Sequence, residues 1–599
     1  MTNVERGSSR DRWFPTGSWW TTLRWLLLVL AVATLLTNAF YLRFLEPVVS
    51  RRLLGAALLG SIGLIFFIAR VGLPRTRSDV RGVAHRLAVP AAVFAIVAAG
   101  FWLRLSGISS GLPQSYVADE YDTVHSTITM MKRGELNPHW WYYPSLKLYV
   151  NMGAYTAVFL AGARSGRWQS VNEVTVEDML YWGRFVAVVF GTAAVLLTFF
   201  LGRRVFGTRV GLLAAAVLAV FPSAVVQSQI NKPDGMLVFM VTLSVFVTII
   251  YLENGRWKLA LASGVVIGLA TGTKYNGALV VLPFLLAVVL RHGRRFLNAP
   301  DLYLGLGASM LAFVATSPFF IADLATFLDH VAFDLYTYGF AGKEGGTGVD
   351  NWYHHARYAA IFGTGVLALV SALGGLGLAL YRLDARLAVA LTFPVIYASV
   401  ASSQHVNWAG LFVPVYPFLA ILSAYGIQEL AAATTRWRRA EWLEPVLLTA
   451  MLALVLWFPA RTSILHDREA NLPDTGNVAR AWINETFEPG THFVAERYTP
   501  VPDRARFRVS QEARAIHRSV ADYRGAGVQY IVVSSQIYDR YGPEHRVTRA
   551  YQRLFELCPA VAEFEPVAGE LQGPTIRVLR IPPEPNEGTL DSPDSPLTD

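Results

Sequence analysis

The chain has 599 residues, of which 53% are hydrophobic and only 16% are charged, and its mean hydropathy is positive. This balance excludes an ordinary soluble globular protein and predicts a polytopic membrane protein. The formal charge of +9 does not indicate a nucleic-acid partner, because the Arg and Lys residues lie in short clusters between apolar runs. The single cysteine, Cys558, excludes an intramolecular disulfide, and no Cys/His pattern has metal-ligand spacing.

Apolar runs near the bilayer-spanning length predict about 13 transmembrane helices. We place them at residues 23–41, 53–69, 87–103, 185–201, 210–229, 235–251, 259–272, 277–290, 302–321, 358–380, 387–402, 411–431 and 446–459. The apolar core of the first run, residues 26–40, follows four arginines, but no small-residue cleavage site follows it. We therefore interpret it as an uncleaved anchor rather than a signal peptide.

The composition divides the chain into four parts. Residues 1–86 hold two extra helices, and residues 87–460 form a helical membrane body. Residues 461–582 are more polar and mix helix-like with strand-like runs, which predicts a small α/β domain. The segment 583–599 is rich in Pro, Ser and Asp, which is typical of disorder.

Basic clusters predict the orientation of the helices. By the positive-inside rule the cytoplasmic loops are those near residues 70–81, 203–209, 256–258, 291–295, 382–386 and 436–439. These loops lie on one side of the membrane only if the apolar run 146–163 does not cross it. Lys147 and Asn151 in this run are typical of a helix that lies at the membrane surface. Residues 105–184 then form one large outer loop of a multi-pass protein in the cytoplasmic membrane, and the C-terminal domain is exoplasmic.

Two adjacent carboxylates, Asp119 and Glu120, lie in this first outer loop. Carboxylates beside a bilayer are costly to hold, and two close ones cannot both ionise freely, so one can be tuned toward proton abstraction. The alternative is that they cap the start of a helix.

A second outer loop carries Lys232 and Asp234, which brings another carboxylate toward the same surface. The alternative is a Pro-Asp turn or helix cap. A third outer connection places Lys274 between glycines, which suits an anionic phosphate, although a snorkelling lysine gives the same pattern. Arg184 breaks the positive-inside trend and is a candidate partner for phosphate or carboxylate.

The loop 322–357 combines the glycine-rich segment 343–348 with His354 and His355. The glycines predict a flexible lid, and the histidine pair could contact substrate or a divalent ion. The alternative is that the histidines are interfacial polar residues. We interpret Trp140 and Trp141 as membrane-interface anchors.

In combination these residues resemble the GT-C superfamily of polyprenyl-phosphate-dependent glycosyltransferases, and within it the protein O-mannosyltransferase and lipid A aminoarabinose transferase group. The resemblance extends over residues 87–425. It is carried by Asp119-Glu120, by 134–138 with 143–146, by 202–207, by 227–229 leading to Asp234, and by 268–275.

The resemblance implies inverting sugar transfer from a polyprenyl-phosphate carrier to a lipid, glycan or protein acceptor at the outer face of the membrane. It implies that Asp119 is the general base and that Glu120 or Asp234 orients the acceptor hydroxyl. Relatives carry an arginine where this chain reads 405–414, so Lys274 or Arg357 is expected to replace it. The implied phosphate-binding residues are Arg184, Lys274, Tyr275 and Arg357, and the implied substrate-loop residues are Lys232, Tyr143, His354 and His355.

Two other classes of function remain compatible with the sequence. A polytopic transporter or flippase of lipid-linked sugars also has many helices with a few internal charges, although here the charges gather at helix ends and no inverted repeat is evident. The other class is an inactive scaffold whose exoplasmic domain binds envelope partners. The retained Asp119, Glu120 and Asp234 favour an enzyme over the scaffold.

Overall fold

The computed structural model describes residues 77–117, 119–341, 348–406, 408–438 and 443–583. The predicted spans 23–41 and 53–69, most of the glycine segment 343–348 and the predicted tail beyond residue 583 lie outside these residues. The chain divides into two compact units, Met1–Ala98 and Ala99–Asp599. Every candidate site residue belongs to the second unit.

Helices make up the first four fifths of the described chain. They are α1 (Arg77–Ser106), α2 (Glu120–Arg133), α3 (Leu146–Arg164), α4 (Val176–Phe206), α5 (Thr208–Val220), α6 (Pro222–Ser228), α7 (Asp234–Asn254), α8 (Trp257–Thr273), α9 (Val281–His292), α10 (Pro300–Thr316), α11 (Leu324–Tyr336), α12 (Gly348–Tyr358), α13 (Val366–Tyr381), α14 (Ala385–Ser403), α15 (Tyr416–Arg438) and α16 (Leu443–Ala470). Short 3-10 helices at Tyr275–Val280 and Ala409–Val415 and π-helical turns at Thr337–Ala341 and Ala359–Gly363 join some of them.

Within the described ranges, seven helices are long and apolar enough to cross a membrane, and two bent helix pairs bring the number to nine. The chain is therefore a multi-pass membrane protein. Each apolar run predicted between residues 87 and 459 coincides with a helix or a bent pair, but α8 and α10 have only 17 residues each. The total of about 13 spans stays a prediction. The surface helix predicted at 146–163 is α3, which is not among the candidate spans.

The two bent pairs have identifiable causes. The chain turns by 64° between α5 and α6, where Pro222 starts the second helix in the position that proline favours. It turns by 118° between the helical stretch ending at Gly363 and α13, where Gly365 has a φ of 86° that a residue with a side chain rarely adopts.

Small residues let α8 and α10 pack closely. A Cβ atom added at Gly264 would lie 2.0 Å from the carbonyl oxygen of Gly305, and one added at Gly268 would lie 2.3 Å from that of Ser309. Because the glycines are four residues apart, they form one helix face, as in small-residue contacts between membrane helices. This contact places the end of α8, and with it Lys274, against the rest of the body.

Residues 475–580 form a second kind of structure, which we name the C-terminal α/β region. Its strands are β1 (His492–Glu496), β2 (Arg508–Glu512), β3 (Tyr530–Ser534), β4 (Ala560–Phe564) and β5 (Ile576–Arg580). Its helices are α17 (Thr475–Thr486), α18 (Val520–Gly525), α19 (Ser535–Tyr538) and α20 (Arg546–Leu557). The sheet order is β2-β1-β3-β5-β4, with β1 parallel to β2 and β3, and β5 antiparallel to its neighbours.

Alternating side chains bury both faces of this sheet. Phe493 and Val532 pack with Ala479 and Ile483 of α17 on one face. Val494, Ile531 and Val533 pack with Tyr551 and Leu554 of α20 on the other. The period of two residues is the one expected for strands covered on both faces.

The C-terminal α/β region contacts the loop that precedes α2. Asn477 donates from Nδ2 to the carbonyl oxygen of Leu112 at 2.9 Å, and the Tyr116 hydroxyl donates to Asn477 Oδ1 at 3.1 Å. An ion pair joins Arg497, directly after β1, to Asp122 in the first turn of α2. The end of β1 therefore lies beside the loop that carries Asp119 and Glu120.

Candidate active site

The site is built where several elements begin or end. Asp119 precedes α2, Lys232 precedes α7, and Asp234 is the first residue of α7. Lys274 directly follows α8. The structure thus brings the three predicted outer connections together, and each of the carboxylates Asp119, Glu120 and Asp234 faces a cation.

Glu120 and Arg184 form a buried ion pair. Arg184 donates from Nε to Glu120 Oε1 at 2.8 Å and from Nη2 to Oε2 at 2.7 Å, and the side chain of Glu120 is 0% exposed. Glu120 also accepts from the backbone N–H of Asn231 and from the hydroxyl of Ser115, each at 2.8 Å. Arg184 Nη1 donates to the carbonyl oxygens of Ile108 and Ser110.

This pair joins the loop before α2 to α4. Burial by itself raises the pKa of Glu120, but the Arg184 charge and the hydrogen bonds outweigh burial and lower it. Glu120 is therefore held as a carboxylate. In this geometry both of its oxygens are occupied, and Arg184 has nearly all of its donors in use, so neither side chain is placed to meet an acceptor or a lipid phosphate directly.

Asp119 differs from Glu120 in backbone and in exposure. Its φ is 64°, in the left-handed region, and its side chain does not cap α2. The cap that is the alternative to catalysis is therefore not formed by this side chain. The Tyr143 hydroxyl donates to Asp119 Oδ2 at 3.2 Å, and Lys232 Nζ lies 3.4 Å from the same oxygen. Non-glycine residues held in this region often lie at functional sites.

Asp234 pairs with Lys274. Lys274 Nζ lies 2.8 Å from Asp234 Oδ1, and it also lies 5.7 Å from the centre of the Tyr143 ring. Tyr143 thus contacts both the Asp119 and the Asp234 pairs. Burial first, and then Asp119, raises the pKa of Tyr143 well above its usual value, so the phenol stays a hydrogen-bond donor.

The segment 405–414, where the resemblance expects an arginine, lies beside Asp234. A Cβ atom added at Gly410 would lie 3.4 Å from the Asp234 carboxylate. Tyr338, which sequence reasoning missed, contacts the same segment. Its backbone carbonyl oxygen accepts from the His405 N–H at 2.8 Å, and its ring packs edge-on against Trp408. Burial, with Asp334, Asp234 and Asp119, raises the pKa of Tyr338 well above its usual value.

The structure contradicts the interpretation of Trp141 as a membrane-interface anchor. Its side chain is fully buried, and its Nε1 donates to Asp323 Oδ2 at 3.0 Å. Its backbone N–H donates to His330 Nδ1, and its carbonyl oxygen accepts from the Tyr275 hydroxyl at 2.8 Å. Trp141 therefore fastens the first outer loop to α11, and the predicted phosphate ligand Tyr275 uses its hydroxyl in this contact.

The other predicted residues lie on α12. His355 is buried and stacks on Phe412, whereas Arg357 is exposed. His354 and His355 contact each other edge-on, with ring centres 5.6 Å apart. Among the residues that the structure describes, no group of three or more His, Cys, Asp and Glu side chains is arranged to hold a metal ion.

The C-terminal α/β region lies beside the loop that carries Asp119. Arg497 pairs with Asp122, and the next residue, Tyr498, has a φ of 67°. Burial raises the pKa of Asp122; Arg497 opposes this rise and Asp119 adds to it. No sequence motif pointed to Arg497 or Tyr498.

Part of the chain matches a known protein family. The family model of dolichyl-phosphate-mannose-protein mannosyltransferase matches residues 177–321, which include Arg184, Lys232, Asp234 and Lys274. No curated protein matches the sequence significantly.

Two solved structures have a similar fold. ArnT from Cupriavidus metallidurans bound to undecaprenyl phosphate is 14% identical, with a TM-score of 0.53 over 85% of this chain and 100% of ArnT. The oligosaccharyltransferase AglB from Archaeoglobus fulgidus, in complex with an inhibitory peptide and a dolichol-phosphate, is 12% identical, with a TM-score of 0.50 over 76% of this chain and 70% of AglB.

The partial family match and the similar fold agree with the resemblance to the GT-C superfamily of membrane glycosyltransferases that the sequence indicates.

Proposed function

We propose that the protein transfers a sugar from a polyprenyl-phosphate carrier to an acceptor hydroxyl, with inversion and with Asp119 as general base. The observation that carries this proposal is the unequal exposure of the three carboxylates. The side chain of Asp119 is 31% exposed, whereas those of Glu120 and Asp234 are 0% and 5% exposed. Asp119 is the carboxylate among them that an incoming substrate can reach.

The reaction is a single displacement. The acceptor oxygen attacks the anomeric carbon and its proton moves to an oxygen of Asp119, which requires the two oxygens to approach to about 2.6–3.2 Å. The bond between the anomeric carbon and the phosphate oxygen breaks, and the polyprenyl phosphate leaves with the electron pair. Attack from the side opposite the leaving group inverts the configuration.

Cations near the carboxylates stabilise the departing phosphate. Lys274 and Lys232 are partly exposed, at 13% and 19%, and a fixed positive charge lowers the energy of a transition state in which negative charge develops on the leaving group. We assign this task to Lys274 first, with Arg357 as a further candidate. Arg184, through Glu120, positions the Asp119 loop instead.

The reaction takes place at the outer face of the cytoplasmic membrane, with the C-terminal α/β region on the same side. This assignment rests on the distribution of basic loops. In similar proteins of known structure, the lipid is undecaprenyl phosphate in ArnT and dolichol-phosphate in AglB, which supports a polyprenyl-phosphate donor. The acceptor is a hydroxyl of a lipid, glycan or protein.

The test is transfer or hydrolysis of radiolabelled sugar from synthetic polyprenyl-phosphate donors by purified wild type and Asp119→Asn. We expect Asp119→Asn to lower kcat by about 10²–10⁴-fold, the usual contribution of a positioned base. Asp122→Asn is the matched control, because Asp122 is a nearby acid whose partner is Arg497, and it should retain activity. Full turnover by Asp119→Asn would overturn the base assignment, and no turnover by folded wild type with any donor would favour a transporter or flippase.

A further inference from the structure

A buried polar network connects α3 to the loop before α7. Lys147 Nζ donates to Asn151 Oδ1 at 2.9 Å, and Asn151 Nδ2 donates to Asn231 Oδ1 at 3.2 Å. Asn231 Nδ2 donates to the Tyr155 hydroxyl at 3.1 Å. These four side chains are at most 1% exposed. Since the role in catalysis proposed above uses none of them, the network requires another explanation.

Asn231 is held from both sides. Its side-chain oxygen and nitrogen bind α3, and its backbone N–H donates to Glu120 Oε1 at 2.8 Å. It therefore joins α3 to the Glu120–Arg184 pair. A buried residue held by three such hydrogen bonds has little freedom to shift, because moving it would leave buried donors and acceptors without partners.

The packing of α4 also depends on the size of Asn231. A Cβ atom added at Gly183 would lie 2.2 Å from Asn231 Nδ2 and 2.4 Å from the Tyr155 hydroxyl oxygen. Glycine at this position leaves the space that the Asn231 side chain occupies, one residue before Arg184. The same turn of α4 thus accommodates Asn231 and supplies the cation that holds Glu120.

The position of Asn231 determines the positions of two charged residues that follow it in the chain. Lys232, the next residue, pairs with Asp119, and Asp234, three residues on, pairs with Lys274. The intervening Pro233 has a fixed φ and restricts the backbone of Lys232. A displacement of Asn231 therefore also displaces Lys232 and Asp234.

We propose that Asn231 is a positioning residue that sets Lys232 against Asp119 and Asp234 against Lys274. It contacts no reacting atom, and it acts through the chain that follows it. The proposal deepens the proposed function and rests on it only for its effect on catalysis. The placement of Lys232 can be tested without any turnover.

The test measures the reactivity of Lys232 by trace acetylation of the purified full chain and mass spectrometry. Asn231→Ala is compared with wild type, and the exposed Lys132 on α2 is the internal reference. We expect Lys232 to react about two- to five-fold faster, the change expected when a partly exposed ion pair is lost, with Lys132 unchanged. Asp119→Asn should raise Lys232 reactivity to a similar degree, because it removes the same partner.

Tyr155→Phe provides a milder variant, since it removes one hydrogen bond from Asn231 and keeps the volume. It should increase Lys232 reactivity by less than Asn231→Ala does. With polyprenyl-phosphate donors, Asn231→Ala should lower kcat while the donor KM stays within about twofold, because the displaced groups act on the transition state.

Unchanged Lys232 reactivity in folded Asn231→Ala would overturn the inference, as would an equal rise at Lys132, which would mean general loosening. If wild type turns over no donor, the proposed function fails, and the lysine measurement still decides the role of Asn231.

Discussion

Replacing Glu120 with glutamine should strongly destabilise the protein, although the two side chains have nearly the same shape. The change removes the negative charge but leaves Arg184 buried, with an exposed fraction of 3%. One carboxylate oxygen becomes an amide group, which donates where Arg184, Asn231 or Ser115 also donates. At least one buried donor then loses its acceptor.

The expected cost is about 3–5 kcal/mol, the range measured when one partner of a buried ion pair is removed. This figure applies to the single change only. Replacing both members by neutral side chains of similar volume, as in Glu120→Gln with Arg184→Met, should recover most of the loss, because no unpaired charge then remains buried.

The pH dependence has a defined sign. The pKa of Glu120 in the folded protein lies below its usual value of 4.5. The pair therefore contributes its full stability above that value, and the contribution is lost as the pH falls below it and through the folded pKa. Glu120→Gln should lack this part of the acid destabilisation.

The assay is unfolding of the purified protein in mixed micelles with increasing denaturing detergent, followed by tryptophan fluorescence. Wild type, both single variants and the double variant form a thermodynamic cycle. Wild-type stability of Glu120→Gln would refute the reasoning, since it would mean that the buried Arg184 finds another counter-charge or reaches water. A double variant no more stable than the singles would refute the assignment of the cost to an unpaired charge.

Two further predictions separate the roles of other cations. Lys274→Met should lower kcat with little change in the donor KM, because the leaving phosphate loses a nearby charge in the transition state, whereas Lys274→Arg should retain more activity. Equal kinetics for Lys274→Met and wild type would contradict the phosphate assignment. Arg497→Ala should change the unfolding free energy by no more than about 1 kcal/mol, since both side chains of its pair with Asp122 are about 40% exposed. The same detergent titration measures this change, and a loss comparable to that of Glu120→Gln would contradict the prediction.

Between residues 87 and 459, the sequence was sufficient to predict where the apolar helices lie and which loops meet at the site. The length of the apolar runs predicted the helices, and the positive-inside rule predicted that α3 does not cross the membrane. Alternation of basic and neutral loops put Asp119, Asp234 and Lys274 on one side, and the structure brings these residues together. The bend at Pro222 was not predicted, because the run 210–229 was taken as one span although proline is a common cause of such bends.

Other features depend on geometry that the sequence does not contain. Asp119 and Glu120 are neighbours in the chain, but Glu120 is fully buried, whereas Asp119, which has a left-handed backbone conformation, is partly exposed. The residue pattern alone does not show which of the two carboxylates is buried. Trp141 was misinterpreted because its partners, Asp323 and His330, are 182 and 189 residues away, and only the fold brings them close.

The contact between Arg497 and Asp122 has a consequence for biogenesis. These residues are 375 positions apart, so at a synthesis rate of roughly 5–20 residues per second the loop bearing Asp119 exists for about 20–75 s before Arg497 is made. Arg184 is only 64 positions from Glu120 and can order that loop early. The protein is thus expected to mature in two stages: the loop is ordered first by contacts within the nascent helical body, and Arg497 contacts it only after the last quarter of the chain has been made and folded.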